Sequence, residues 1–362
     1  DTKVKLENMK ILIQERLDTA VHCQGGQQSQ QSAEYFTSPW MTTFIPSVYT
    51  VVFIVALPLN IMAIIIFLTK MKVRKPAVVY MLNLAVADVL FASTLPFKIV
   101  YHFSGNNWIL GSGMCSFVTA SFYCNMYCSI LLITAISVDR FLGVVFPIQS
   151  LSWRTVRRSW VVCILIWVIS IVSTVPLLTI EQTKHVAKLN ITTCHDVVNV
   201  KDHETFHVYY FSSFCLLFFF VPLILSSVSY FGIIHSIRYS KSSNSYKRRQ
   251  AVFLSIVVFS IFIVCFGPTN VIFLSHFLPM FSGNVNESLY FAYILCVCVG
   301  SISCCLDPLL YYYVSPECQG YVYRLLYCKD VADSDTLLPG SFVDRASCPD
   351  QTDYLCAGLL PT

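Results

Sequence analysis

Charge is scarce in this sequence. Asp, Glu, Lys and Arg make up 12% of its 362 residues, about half the share found in a soluble domain. That shortage excludes an ordinary soluble fold. The net charge of only +4 provides no basic field for nucleic acid, which is not an expected partner. An internal repeat is missing as well: the apolar segments are unlike one another, against a transporter assembled from two related halves. A leader pattern is missing too, since the chain opens on Asp1 and its only early apolar run is Ile11-Leu12-Ile13. Either a leader has been removed or the chain continues upstream. No histidine accompanies Cys296, Cys298, Cys304 and Cys305. Residues two apart on a helix point to different sides, so these thiols read as packing groups rather than metal ligands.

What the sequence has in abundance is apolar. Hydrophobic residues make up 56% of it, with 27 Phe and 20 Tyr, and the mean hydropathy is +0.64. Such a composition suits a lipid-facing surface with aromatic belts. Apolar segments fall at roughly 44–69, 76–101, 114–146, 159–179, 206–236, 250–278 and 288–314, each near the ~20 residues of a spanning helix. The expected fold class is therefore an all-α membrane protein, a seven-transmembrane-helix bundle over residues 44–314. An extracellular segment of disordered composition (1–43) precedes it. A short amphipathic helix (315–329) and a disordered tail (330–362) follow. The organising stretch is 115–146, about 48 Å long as one helix. A bilayer core is about 30 Å thick, so this helix tilts or protrudes.

Basic residues set the orientation. Lys70, Lys72, Arg74 and Lys75 follow the first segment, Arg154, Arg157 and Arg158 the third, and Arg238, Lys241, Lys247, Arg248 and Arg249 the fifth. The loops after segments two, four and six hold only Lys184, Lys188 and Lys201. Basic loops stay cytoplasmic, which puts the N-terminus outside. The two glycosylation sequons, at Asn190 and Asn286, then fall outside as well. Cys115 and Cys194 lie on the same oxidising side and can pair, with Cys23 left over. Cys328 is either a palmitoylation site after the amphipathic segment or a free cytosolic thiol.

Two acids lie deep in the apolar segments, Asp88 and Asp307, where a lone carboxylate is costly. Either both are protonated and hydrogen-bonded, or they share a cation with Ser129 and Asn125, whose oxygens suit a hard ion such as sodium. A pair of intramembrane aspartates also raises an aspartyl protease. Neither acid lies in a Tyr-Asp or Gly-x-Gly-Asp setting, however, and no enzyme is expected.

Dispersed motifs then accumulate in order. Asn60, LAVAD ending at Asp88, Cys115, Asp139-Arg140-Phe141, Trp167, Pro222, Tyr230, CFGP over 265–268 and Asp307-Pro308-Leu309-Leu310-Tyr311 each fall in the expected segment. Across residues 40–329 the chain resembles a rhodopsin-like (class A) G-protein-coupled receptor. NITTCHDV (190–197), FYCNMYCSILL (122–132), QSLSWRT (149–155), VCFGPTN (264–270) and YFAYILCVCV (290–299) resemble the protease-activated, thrombin-type group of that family.

The resemblance implies a serine protease that cuts the exodomain to unmask a tethered agonist. It implies a ligand pocket at Tyr123, Asp196, Phe211, His276, Phe277, Tyr290 and Tyr293. It implies an activation switch at Asp139, Arg140, Tyr230, Phe266, Pro268 and Tyr311, with Asp139 holding Arg140 at rest and Tyr230 and Tyr311 reaching it when helix six swings out. The implied partners are a heterotrimeric G protein of the Gq, G12/13 or Gi class, arrestin via the tail, and membrane lipids. No cofactor is expected beyond a possible structural sodium ion. The chain departs from the group in two respects. No thrombin site or acidic-aromatic segment is visible before residue 44, and Lys247-Arg248-Arg249 puts no acid at the base of helix six. The alternative is a receptor of the same branch for a diffusible peptide, nucleotide or lipid.

Overall fold

The computed structural model describes residues 34, 36–71, 73–195, 210, 212–239, 256–277 and 287–314. Cys23, Asp196, Phe211, Asn286, Cys328, the Lys247-Arg248-Arg249 run, the expected amphipathic helix and the tail lie outside the described residues.

Among the described residues, six helices are long and apolar enough to cross a membrane: α1 (Trp40–Thr69), α2 (Pro76–Phe103), α3 (Ser112–Val145), α4 (Val156–Thr179), α5 (Ser212–Arg238) and, within α7, Ala292–Leu309. A shorter apolar helix, α6 (Ile256–Ile272), supplies the seventh. α7 is made of two pieces, Glu287–Gly300 and Ser303–Val314.

Prolines account for most departures from straight helix. A proline offers no N–H to the carbonyl four residues back and crowds it. Pro222 and Pro268 are each preceded by a π turn, Leu216–Phe220 in α5 and Phe262–Phe266 in α6, which widens the ladder where that bond is lost. α2 breaks at Ser93-Thr94, just before Pro96. There Ser93 Oγ donates to Val89 O at 2.8 Å and Thr94 Oγ1 to Phe91 O at 2.7 Å, each hydroxyl meeting its own need on a carbonyl that also accepts a backbone N–H. The seventh helix, expected as one run over 288–314, instead turns at Ser301-Ile302. The fourth begins at Val156 rather than 159 because Thr155 caps it, accepting from Arg158 N at 3.4 Å.

α3 packs against α2, α4 and α5 and forms the axis of the bundle. α4 turns Ile164, Leu165, Val168 and Val172 outward, as a lipid-facing helix should. Between α4 and α5 the chain forms a hairpin, β1 (Thr183–Val186) and β2 (Ile191–Cys194), antiparallel with Thr183 opposite Cys194. Apolar segmentation could not show it, because four-residue polar strands carry no periodic signal.

Candidate ligand pocket and activation switch

The outer site is built on that hairpin. A disulfide joins Cys115 of α3 to Cys194 of β2, with the Cα atoms 5.7 Å apart. It closes a separation of 79 residues, worth about 4 kcal/mol in the chain-entropy account and less against a membrane-confined unfolded chain. Cys194→Ser is accordingly expected to remove most receptor from the cell surface, read by flow cytometry; wild-type surface levels would refute it. Asn190, the described sequon, is exposed in the hairpin turn at φ 51.

Directly after the disulfide, His195 takes φ 65 and enters a directed chain of hydrogen bonds. Gln182 donates from Nε2 to Leu177 O and Ile180 O at 3.5 and 3.4 Å, so its Oε1 is the face presented to His195 Nδ1, 2.8 Å away. An amide oxygen only accepts, so Nδ1 is the donor. With the ring neutral, His195 Nε2 is the acceptor for Tyr123 OH at 3.0 Å. Tyr123 O accepts in turn from Tyr293 OH at 2.5 Å. Tyr123→Phe removes one hydrogen-bond partner from both Tyr293 and His195, whereas Tyr293→Phe leaves both bonds of the His195 ring in place. The first is expected to cost about 1–3 kcal/mol and the second less, read by thermal unfolding in detergent; the reverse order would overturn this proton assignment.

Behind the triad, α1, α2, α3 and α7 border an open cleft lined by Tyr49, Phe91, Lys98, His102, His195 and Tyr293 among others. Of the expected pocket residues, the structure brings Tyr123 and Tyr293 together. His276, Phe277 and Tyr290 are described only as helix backbone. The sequence reading missed His195 and Lys98. Lys98 donates to Cys194 O at 3.1 Å and lies 5.4 Å over the Tyr101 ring. Its signal was available, a lone cation inside an apolar segment.

Midway down, Asp88, Ser129 and Asp307 are all wholly buried. Asp88 and Asp307 interact with each other and with Cys304. Yet none of their four carboxylate oxygens, nor Ser129 Oγ, nor Asn125 Oδ1, finds a partner in hydrogen-bonding geometry among the described residues. Asn125 Nδ2 points to Cys304 Sγ at 3.7 Å, which leaves Oδ1 on the other side.

At the cytoplasmic end one expectation is corrected. Asp139 does not hold Arg140. Both carboxylate oxygens are taken by Arg154, from Nε at 2.8 Å and Nη2 at 2.7 Å. Adjacent helical residues point about 100° apart, so Asp139 faces the second intracellular loop while Arg140 faces the bundle. Gly143 makes room for the clamp: a Cβ there would lie 2.4 Å from Arg154 Nη1. The bonded carboxylate pushes the Arg154 pKa above its ordinary value, so the clamp cation stays charged at any working pH.

Arg140 Nε is buried with no hydrogen-bond partner among the described residues. Arg140 lines a pocket of about 300 Å³ with Ser137, Tyr230 and Phe259. Tyr230 stacks on Phe259 at 5.3 Å, and Tyr311 donates to Asn60 Oδ1 at 3.4 Å. Tyr311 is thus engaged with Asn60, while Tyr230 shares the inner pocket with Arg140 and packs its ring on Phe259. Phe266 lies buried at the end of the π turn before Pro268, 6.1 Å from Phe262.

A helical bundle with an outer cleft, an inner pocket and a single helix reaching both defines a seven-helix membrane receptor. The family described as 7 transmembrane receptor (rhodopsin family) matches residues 59–311. Proteinase-activated receptor 1 of Xenopus laevis is 62% identical over 313 residues, 86% of this chain and 72% of the relative. The human receptor of that name is 59% identical over 305 residues, 84% and 72% of the two chains. Proteinase-activated receptor 2 of Bos taurus is 36% identical over 304 residues, 83% and 76%. The chain belongs to the rhodopsin family of 7 transmembrane receptors and, within it, to the proteinase-activated receptors. It is a multi-pass plasma-membrane receptor and not an enzyme.

Proposed function

We propose that a serine protease unmasks a tethered agonist in the exodomain, and that the agonist engages the outer site and drives G-protein activation from the inner one. The observation that carries this reading is the sharing of α3. Tyr123 anchors the outer hydrogen-bond chain and Arg140 lines the inner pocket, about 25 Å apart along one rigid helix. A shift of α3 or its neighbours at one end is felt at the other. Helix six, softened at Phe262–Phe266, is the element that swings. The opened cleft then takes a helix of the G protein.

The G-protein class and an arrestin on the tail belong to the same proposal on the family resemblance alone. Asp88, Ser129 and Asp307, with Asn125, form a sodium site in it, supported by side-chain oxygens that have no hydrogen-bond partner among the described residues.

The test is nucleotide exchange in membranes treated with thrombin or trypsin, with N-terminal sequencing of the cut chain. A synthetic peptide bearing the newly exposed sequence should reproduce the response on uncut receptor. A receptor indifferent to both proteases and to the peptide, but fired by a diffusible ligand, would favour the alternative.

A further inference from the structure

The approach to α1 is fixed by side chains of the neighbouring loop. Phe36 is 5% exposed and Met41 1%. Asn106, wholly buried, donates from Nδ2 to the Phe36 carbonyl at 2.8 Å. Its Oδ1 meets His102 Nδ1 at 2.7 Å. Since the amide hydrogens face Phe36, the oxygen accepts, and His102 Nδ1 is the donor. Asn106 adopts φ 61 directly after Gly105 at φ 75, a left-handed turn that asparagine tolerates better than other side-chain-bearing residues. That turn sends the chain back after α2 and aims the amide at Phe36.

The next two residues hold the opposite side. Asn107 Oδ1 accepts from Thr192 N at 3.0 Å, and Trp108 N donates to Thr192 O at 2.7 Å. Three consecutive residues thus join the exit of the exodomain to the hairpin that ends at Cys194 and His195. His102, which fixes Asn106, also lines the outer cleft.

We propose that Asn106, held by His102, is a positioning residue for intramolecular activation: it docks Phe36 and so sets the point, beside the outer cleft, from which the tethered segment leaves the bundle. This rests on the tethered-agonist reading above. The effective concentration of a tethered ligand falls roughly as the −3/2 power of linker length. Docking at Phe36 rather than at Trp40, where α1 begins, removes four residues of free chain (40 minus 36). A tether whose free length doubled would lose about threefold in effective concentration.

The test uses Asn106→Asp and Asn106→Gly in the full chain. Asp keeps the acceptor for His102 but offers no hydrogen to the Phe36 carbonyl. Gly keeps the positive φ without a side chain. At matched surface expression, both are expected to need more protease for half-maximal nucleotide exchange, by about threefold where the released residues double the free tether. Their response to the free synthetic peptide carrying the exposed sequence should stay within about twofold of wild type on the same argument. Equal shifts in both responses would mean a purely structural role, and no shift in either would mean no role; each overturns the inference. Amide hydrogen exchange on the uncut receptor gives a readout that needs no agonist. Residues 36–44 should be protected in wild type and exchange faster in both variants, and unchanged exchange overturns the docking whatever the protease does. A wild-type receptor that ignores protease would instead sink the tethered reading, with the dock still judged by exchange.

Discussion

Replacing Arg140 by Ala is expected to abolish agonist-driven nucleotide exchange while leaving thermal stability unchanged or raised; replacing Arg154 is expected to lower stability sharply. The two arginines are neighbours in space but differently paired. Among the described residues Arg140 Nε is buried without a hydrogen-bond partner, so truncation strands no bonded group and removes a nitrogen whose desolvation the fold was carrying. What is lost is the cation in the pocket where Tyr230 and Phe259 stack. Arg154 makes two charge-assisted bonds to Asp139, whose side chain is only 6% exposed. Removing it strands a nearly buried carboxylate. Full burial would cost about 3–5 kcal/mol. With Arg154 itself 26% exposed, solvent screening brings the expectation to about 2 kcal/mol.

A double-mutant cycle separates the pairs. Asp139→Ala with Arg154→Ala should show coupling on the order of 2 kcal/mol, and Asp139→Ala with Arg140→Ala much less. Gly143→Ala should resemble a weak Arg154 mutant by displacing the guanidinium. Normal exchange in Arg140→Ala, or coupling of Asp139 to Arg140 rather than Arg154, would sink this account.

How much of this was legible in the sequence depended on the kind of signal. Hydrophobic runs and basic loops marked the helices because a bilayer punishes unsatisfied backbone and misplaced charge more severely than water does. Asp88 and Asp307 stood out for the same reason. The side of the membrane narrowed the extracellular cysteines to Cys115, Cys194 and Cys23, and the structure joins the first two. The Asp139 pairing was missed because it joins α3 to a residue fifteen positions on in a loop, and adjacency in sequence was mistaken for adjacency in space. His195 was missed because its role depends on a positive φ and on Gln182, neither of which has a periodic signature. Asn106 was invisible for a like reason: its partner lies seventy residues earlier.

The remaining large effect concerns sodium. Antagonist affinity is expected to rise, and agonist affinity to fall, as sodium replaces a bulky cation at constant ionic strength. Six oxygens converge on this expectation: the four of Asp88 and Asp307, Ser129 Oγ and Asn125 Oδ1, all buried and none in hydrogen-bonding geometry among the described residues. Leaving a buried acceptor unmet costs about 1–3 kcal/mol, and two carboxylates in mutual contact repel unless a cation or a proton lies between them. Sodium and a shared proton are thus the competing solutions, and they differ in what they respond to. A proton-sharing pair is indifferent to the choice of alkali cation. A bound ion couples to conformation, because the site spans α2, α3 and α7, the last of which carries Tyr311 on the same piece as Asp307. If sodium binds the closed state better, reciprocity makes it a negative modulator of agonist, typically by 1–3 kcal/mol, or about five- to 150-fold. Asp307→Asn removes one of the two negative charges and should shrink that factor, while keeping volume and one oxygen. Radioligand competition across a sodium series, in wild type and Asp307→Asn, measures both. Flat antagonist affinity in the wild type would mean that the aspartates share a proton and hold no ion.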